Sequence, residues 1–175
     1  MRWLAIATLA ACSGSSATPD AAKQADAYDT ARCLIKGNYG DLGSVTGTAG
    51  TVSSATTVTI TLETVATGKN DLFWKLVPGK GAFTGGVKAG AYTIGGVDAS
   101  FNTCGLCTNL IAGITSTGPT KFYFADSGTV TFTSVTPPIA GSAQNLHFAE
   151  IDLNSGAPIA GGCTGSITSV SFTTP

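Results

Sequence analysis

Charge is the scarcest commodity in this chain of 175 residues: Asp, Glu, Lys and Arg together make up 11%, against about 25% in an average globular domain. Nine basic residues against ten acidic ones leave a net charge of -1. That balance excludes a nucleic-acid binder that works by neutralising phosphates and releasing counterions. Histidine and methionine occur once each and tryptophan twice, so few side chains are available for acid–base catalysis. Two stretches, 42–62 and 127–149, carry no charge at all, but they are crowded with Gly, Ser, Thr and Pro. Such composition excludes helical membrane spans, which need about 20 mainly apolar residues in a row.

What is present points to a folded β protein. The 43% hydrophobic content is too high for a disordered chain. Thr (27), Gly (23) and Ser (15) exceed a third of the residues, a mixture that favours exposed strands and tight turns over helix.

The first sixteen residues set the expected address. Met1-Arg2 precedes an uncharged run from position 3 to 11, then Cys12 and Ser13-Gly14-Ser15-Ser16. A basic start followed by a short apolar run describes a secretory signal peptide. Leu9-Ala10-Ala11-Cys12 resembles the lipobox of bacterial lipoproteins, with Leu at -3, small residues at -2 and -1, and Cys at +1. The resemblance implies a diacylglyceryl group on the Cys12 thiol, cleavage before Cys12, and a palmitate-like acyl chain on the new amino terminus. Ser13 at +2, where Asp would signal retention in the inner membrane, implies sorting to the outer membrane. Each buried methylene contributes about 0.8 kcal/mol, so two or three chains hold a protein at a bilayer effectively for good.

Three regions are expected: a signal peptide over 1–11, a lipidated Cys12 with a flexible tether over 12–31, and one domain over 32–175. In the domain, 57–62 alternates strictly, with Val58, Ile60 and Leu62 on one face and threonines on the other, which reads as a strand. Residues 71–77 place Leu72, Trp74 and Leu76 together. Residues 121–125 and 129–133 flank Asp126-Ser127-Gly128, a pattern that predicts a hairpin with a type I turn and a bulge at the glycine. Weaker strand signals lie at 33–35, 91–94, 110–114, 145–153 and 167–172. About nine short strands predict an all-β fold, an antiparallel β-sandwich of Ig-like or jelly-roll-like kind. A transmembrane barrel shares the alternation, and the lipobox argues against it.

With Cys12 assigned to lipid, Cys33, Cys104, Cys107 and Cys163 remain. An even count in an exported protein predicts two disulfides. Three connectivities are open, and Cys33–Cys163 with Cys104–Cys107 is favoured because it ties the first strand to the last. Cys104-Gly105-Leu106-Cys107 could also be a redox dithiol or half of a zinc site. Its polar flanks, with no helix to follow, and the missing second C-x-x-C make a structural bridge the expectation.

His147 is the single base from which a triad could be built, and no G-x-S-x-G elbow accompanies it. Glu150 and Asp152 share strand parity and invite glycosidase or calcium chemistry. Leu146 and Phe148 hold the same parity, so a bulge or a strand end near position 149 is expected. Trp74, Tyr92 and Tyr123 could form a carbohydrate platform; Trp74 reads as core, and Tyr123, opposite in parity to Phe122 and Phe124, as the exposed one. The expectation is a non-enzymatic envelope lipoprotein with no cofactor and no metal, held at the outer membrane and serving a structural or recognition role. A surface module binding protein or glycan is the first alternative, and a small hydrolase using His147, Glu150 and Asp152 the second.

Overall fold

The computed structural model describes residues 29–175. The expected signal peptide, Cys12 and most of the expected tether therefore lie outside the described residues. Asp29 caps a single helical turn, α1 (Thr30–Cys33), by accepting a hydrogen bond from the Arg32 N–H at 2.9 Å. The weak strand signal at 33–35 is thus not realised: Cys33 closes the turn and Leu34 adopts a left-handed conformation (φ 59°).

Nine strands follow: β1 (Asp41–Thr46), β2 (Thr48–Val52), β3 (Ala55–Val65), β4 (Gly68–Leu76), β5 (Gly90–Ile94), β6 (Leu106–Ile114), β7 (Lys121–Ser134), β8 (Ala140–Glu150) and β9 (Thr164–Thr173). The all-β expectation holds. The layering differs, because the strands join one sheet in the order β1-β9-β8-β7-β6-β4-β3-β2, with β5 on β7. The sheet is mixed: β1 runs parallel to β9, and the other pairings are antiparallel.

The sheet curls because successive segments of one chain occupy its two ends. β1 pairs with β9 and β2 with β3, and Gly47 alone separates β1 from β2. Its N–H donates to the Thr173 carbonyl at 2.8 Å, while a Cβ added to it would lie 2.8 Å from the Thr59 carbonyl oxygen. Only glycine lets β9 and β3 approach the joint this closely. Curling brings β4 over β9 across the interior, where Trp74 stacks on Phe172 with ring centroids 4.5 Å apart. Phe172 in turn meets Phe132 edge-on at 5.8 Å. Val58, Ile60, Leu72, Leu110, Leu146 and Phe148 are among the residues that complete this core.

The expected hairpin around 126–128 is replaced by one bent fourteen-residue strand, β7. One edge of β7 pairs first with β6 and then with β5, while β8 runs along the other edge. These long-range ladders override the local turn chemistry of Asp126-Ser127-Gly128. Gly128 (φ 129°) absorbs the bend, and a Cβ there would strike Leu146 Cδ2 at 2.7 Å. Across from it, Asn145 (φ 51°) lets β8 bulge. Ala143, Leu146 and Phe148 consequently all point inward.

Both favoured disulfides are formed. Cys33–Cys163 (Cα–Cα 5.6 Å, sequence separation 130) ties α1 to the start of β9, and Cys104–Cys107 (Cα–Cα 5.2 Å) closes the loop before β6. The buried Tyr123 hydroxyl donates to the Cys33 carbonyl and locks the same corner.

Two carboxylates pin further segments to the sheet. Glu63 accepts from the Tyr39 hydroxyl (2.9 Å) and the Asn70 amide (2.8 Å) and pairs with Lys36 (3.2 Å). Glu150 pairs with Lys121 and accepts from the Cys163 N–H at 2.9 Å. Burial pushes both carboxyl pKa values up, but these hydrogen bonds and lysines outweigh it, and both end below the ordinary glutamate range. A folded-state pKa lower than the unfolded one stabilises the fold at neutral pH, and that contribution disappears as pH falls through the folded value. Thermal scans should therefore show a midpoint that is steady near neutrality and declines on acidification below the ordinary glutamate pKa of about 4.3. The doubly substituted Glu63→Gln, Glu150→Gln chain should show a visibly shallower decline. An identical acid profile for both proteins would contradict the assignment.

Candidate functional site

The sheet has a second apolar face. On the outward side of β4, β6 and β7, strand register sets three rows. Lys75 stands beside Cys107, Phe73 beside Asn109 and Phe124, and Asp71 beside Ile111 and Phe122. The 99–105 segment closes one side. Phe101 packs edge-on over Phe124 with centroids 5.8 Å apart and planes at 87°. Val52, at the tip of the β2–β3 hairpin, stands on the rim and is 47% exposed. Between them lies a groove of about 400 Å³, lined mainly by Phe73, Phe101, Ile111 and Phe122, with Lys75, Asn102 and Asn109 as its polar members.

The wall is held firmly. The Asp98 carboxylate is buried and accepts from the Gly105 N–H (2.6 Å), the Leu106 N–H (3.0 Å) and the Ala82 N–H (2.8 Å). The Cys104–Cys107 bridge joins this loop to the floor strand, and the Asn102 amide donates to the Ser155 carbonyl at 2.9 Å. Three independent anchors thus fix a loop of few residues, which is how a groove becomes preorganised for a ligand.

Two polar groups on the lining of the groove itself stand out, while the buried Asp71 Oδ1 further along the same face has no hydrogen-bond partner among the described residues. Lys36, Lys69 and Lys121 each pair with a carboxylate, Lys69 with Asp71 at 2.8 Å. Lys75, Lys80 and Lys88 have no ion-pair partner among the described residues, and of these three only Lys75, at the groove edge, is half-buried. Asn109, in the middle of the floor, is only 5% exposed, yet among the described residues its amide makes a single long contact, to the Cys107 carbonyl at 3.4 Å. A second hollow of about 400 Å³ beside α1 lacks this character, because Lys36 and Glu63 on its lining satisfy one another.

The residues singled out in the sequence fall elsewhere. His147 is exposed on β8 and its Nδ1 lies 2.8 and 2.9 Å from the two oxygens of Asp126 on β7. Its register neighbours are Ser127 and Ser166. The Ser127 hydroxyl donates to Asp126 (3.1 Å) and the Ser166 hydroxyl to the Gly37 carbonyl (3.1 Å), so neither bonds the imidazole. Glu150 is engaged by Lys121 and Cys163 as above. Asp152 ties its own loop, accepting from the Asn154 N–H at 3.0 Å and the Ser155 N–H at 2.8 Å, and these Ser155 contacts hold its pKa below the usual range. The three residues of the hydrolase alternative therefore serve three separate partners and do not converge.

The aromatic candidates need one correction. Trp74 is core, as its parity indicates, and Tyr92 is half-buried with its hydroxyl on the Lys88 carbonyl at 2.7 Å. Tyr123, expected to be exposed, is fully buried. The parity assignment was sound but the faces are reversed: Phe122 and Phe124 lie on the outer side, Phe124 covered by Phe101 and Phe122 lining the groove. A cue was present in the sequence, since Phe122, Tyr123, Phe124 and Ala125 make the first half of β7 apolar at both parities, and a strand apolar on both faces has both faces covered or in use. No family model, no curated protein and no solved structure matches this chain.

Proposed function

We propose that the protein is a non-enzymatic recognition module, lipid-anchored through Cys12 and exported to the outer membrane of a bacterial envelope, that takes its ligand in the groove of β4, β6 and β7. The observation that carries this reading is the preorganised aromatic groove containing an unmatched lysine and an under-bonded amide. Ligand pockets typically combine mostly apolar walls with a few well-placed polar groups, and about 400 Å³ falls in their usual size range. Support for the address comes from the lipobox-like Leu9-Ala10-Ala11-Cys12 and from two disulfides, which persist in oxidising compartments. The contact of Trp74 on β4 with Phe172 on β9 across the curled sheet supports reading the module as an Ig-like or jelly-roll-like sandwich.

Substituting Cys12→Ser tests the anchor. In a Gram-negative host the native chain should sediment with membranes and carry acyl mass on its N-terminal cysteine, and the variant should move to the soluble periplasmic fraction. Equal membrane association of the two proteins would remove both the anchor and the location.

A further inference from the structure

We infer that the groove binds a small aryl carboxylate bearing an amide next to its charged end: Lys75 holds the carboxylate, Asn109 bonds the amide, and the phenylalanines take the ring. This rests on the reading of the groove as the recognition site and narrows it to a ligand class.

Three observations converge. The charge requirement comes from Lys75, the one half-buried lysine without an ion pair among the described residues: Lys80 and Lys88, also unpaired, are exposed, and Lys36, Lys69 and Lys121 are each matched by a carboxylate. A lone cation beside low-dielectric aromatic walls attracts a monoanion more strongly than one in open water does. The hydrogen-bonding requirement comes from Asn109. Its amide has donors and acceptors to spare, it is only 5% exposed, and its one contact among the described residues, at 3.4 Å, is at the long end for a hydrogen bond. Buried polar groups are normally satisfied. A plain alkyl chain laid over Asn109 would bury it without a partner, so the occupant must bring a hydrogen-bonding group of its own.

The spacing sets where that group sits. Lys75 is the register partner of Cys107, and Asn109 lies two residues further along β6, about 7 Å away by strand rise. With the flexible lysine arm reaching inward, the carboxylate and the amide of the ligand are near neighbours, as in an N-acylated amino acid. Phe73, Phe101 and Phe122 then surround the remaining space, which suits an aromatic ring. At about 400 Å³ the groove matches a free small molecule, and that is the occupant assigned.

The test is a titration of the isotopically labelled full chain, followed by amide NMR shifts, with three probes that differ by one group each. N-acetylphenylalanine has ring, amide and carboxylate; N-acetylphenylalanine amide lacks the charge; 3-phenylpropionate lacks the amide. N-acetylphenylalanine should shift resonances around Phe73, Lys75 and Asn109 saturably, and the other two should bind at least fivefold more weakly. Lys75→Gln should abolish the preference for N-acetylphenylalanine over its uncharged amide, bringing the two to equal affinity. Added salt should weaken the charged probe in the native chain. Equal affinity for all three probes at the groove overturns the ligand class and leaves the groove a recognition site. No saturable shift there with any probe overturns both readings.

Discussion

Replacing Cys33 and Cys163 together with alanine should lower the thermal midpoint by about 10–20 °C. In the chain-entropy model the loss grows with the logarithm of the loop closed, and a bridge of sequence separation 130 is worth about 5 kcal/mol. Each kcal/mol moves the midpoint of a domain this size by about 2–4 °C. Alanine is the informative replacement because both cysteines are almost wholly buried (2% and 3% exposed), and a serine hydroxyl would add an unrelated desolvation cost. The Cys104–Cys107 bridge, with a separation of 3, supplies the internal comparison. By the same relation its removal costs about 2 kcal/mol, or about 4–8 °C. Differential scanning calorimetry of the two double variants under non-reducing conditions decides the matter. Equal shifts, or a larger one for the short bridge, would sink the argument that long-range closure is what the outer disulfide contributes.

The second large effect is expected at Asn70. This side chain is completely buried in β4, where its amide donates to the Leu34 carbonyl (2.6 Å) and to Glu63 (2.8 Å) and accepts from the Gly113 N–H (3.0 Å). It therefore joins the segment after α1 to β3 and β6 in one step. Asn70→Leu keeps the bulk and removes all of these bonds, leaving a buried N–H and a buried carbonyl without partners and the Glu63 charge less well held. At about 1–3 kcal/mol for each stranded group, the total should be about 3–5 kcal/mol. With a urea m-value of about 2 kcal/mol/M, the unfolding midpoint should fall by about 1.5–2.5 M at unchanged slope. Tyr39→Phe, which removes one hydroxyl from the same network, should cost only about 1 kcal/mol. An Asn70→Leu chain no less stable than Tyr39→Phe would show that the network is ornamental.

The sequence disclosed those parts of the fold that are set by local alternation. β3 was legible because threonine and Val58 or Ile60 alternate without interruption, and β4 because Leu72, Trp74 and Leu76 share a parity and are all buried. β1 and β2 were not legible. Their eleven glycine-, serine- and threonine-dominated positions are mostly exposed, and what makes them strands is the partners waiting at each end of the sheet. The break at 126–128 was misread for the same reason: turn chemistry is a local preference, and ladders to β5, β6 and β8 outweigh it. The groove escaped notice because parity says which residues share a face without saying which face is inside. With Tyr123 read as exposed, Phe122 and Phe124 fell on the inner side, where the structure instead places Tyr123. Asp126 could not have been matched to His147 from spacing, since a bend in one strand and a bulge in the next bring them together.

The outer disulfide also decides where mechanical load travels. A pull arriving along the backbone ahead of Cys33 meets a covalent crossing to Cys163 and passes straight to the root of β9. The intervening chain, with eight of the nine strands, is bypassed. Peeling β1 from its parallel neighbour would otherwise be the first event under tension, since β1 lies next along the chain at the sheet's margin. With the crossing intact, drag on the head of the molecule cannot unzip it from that end.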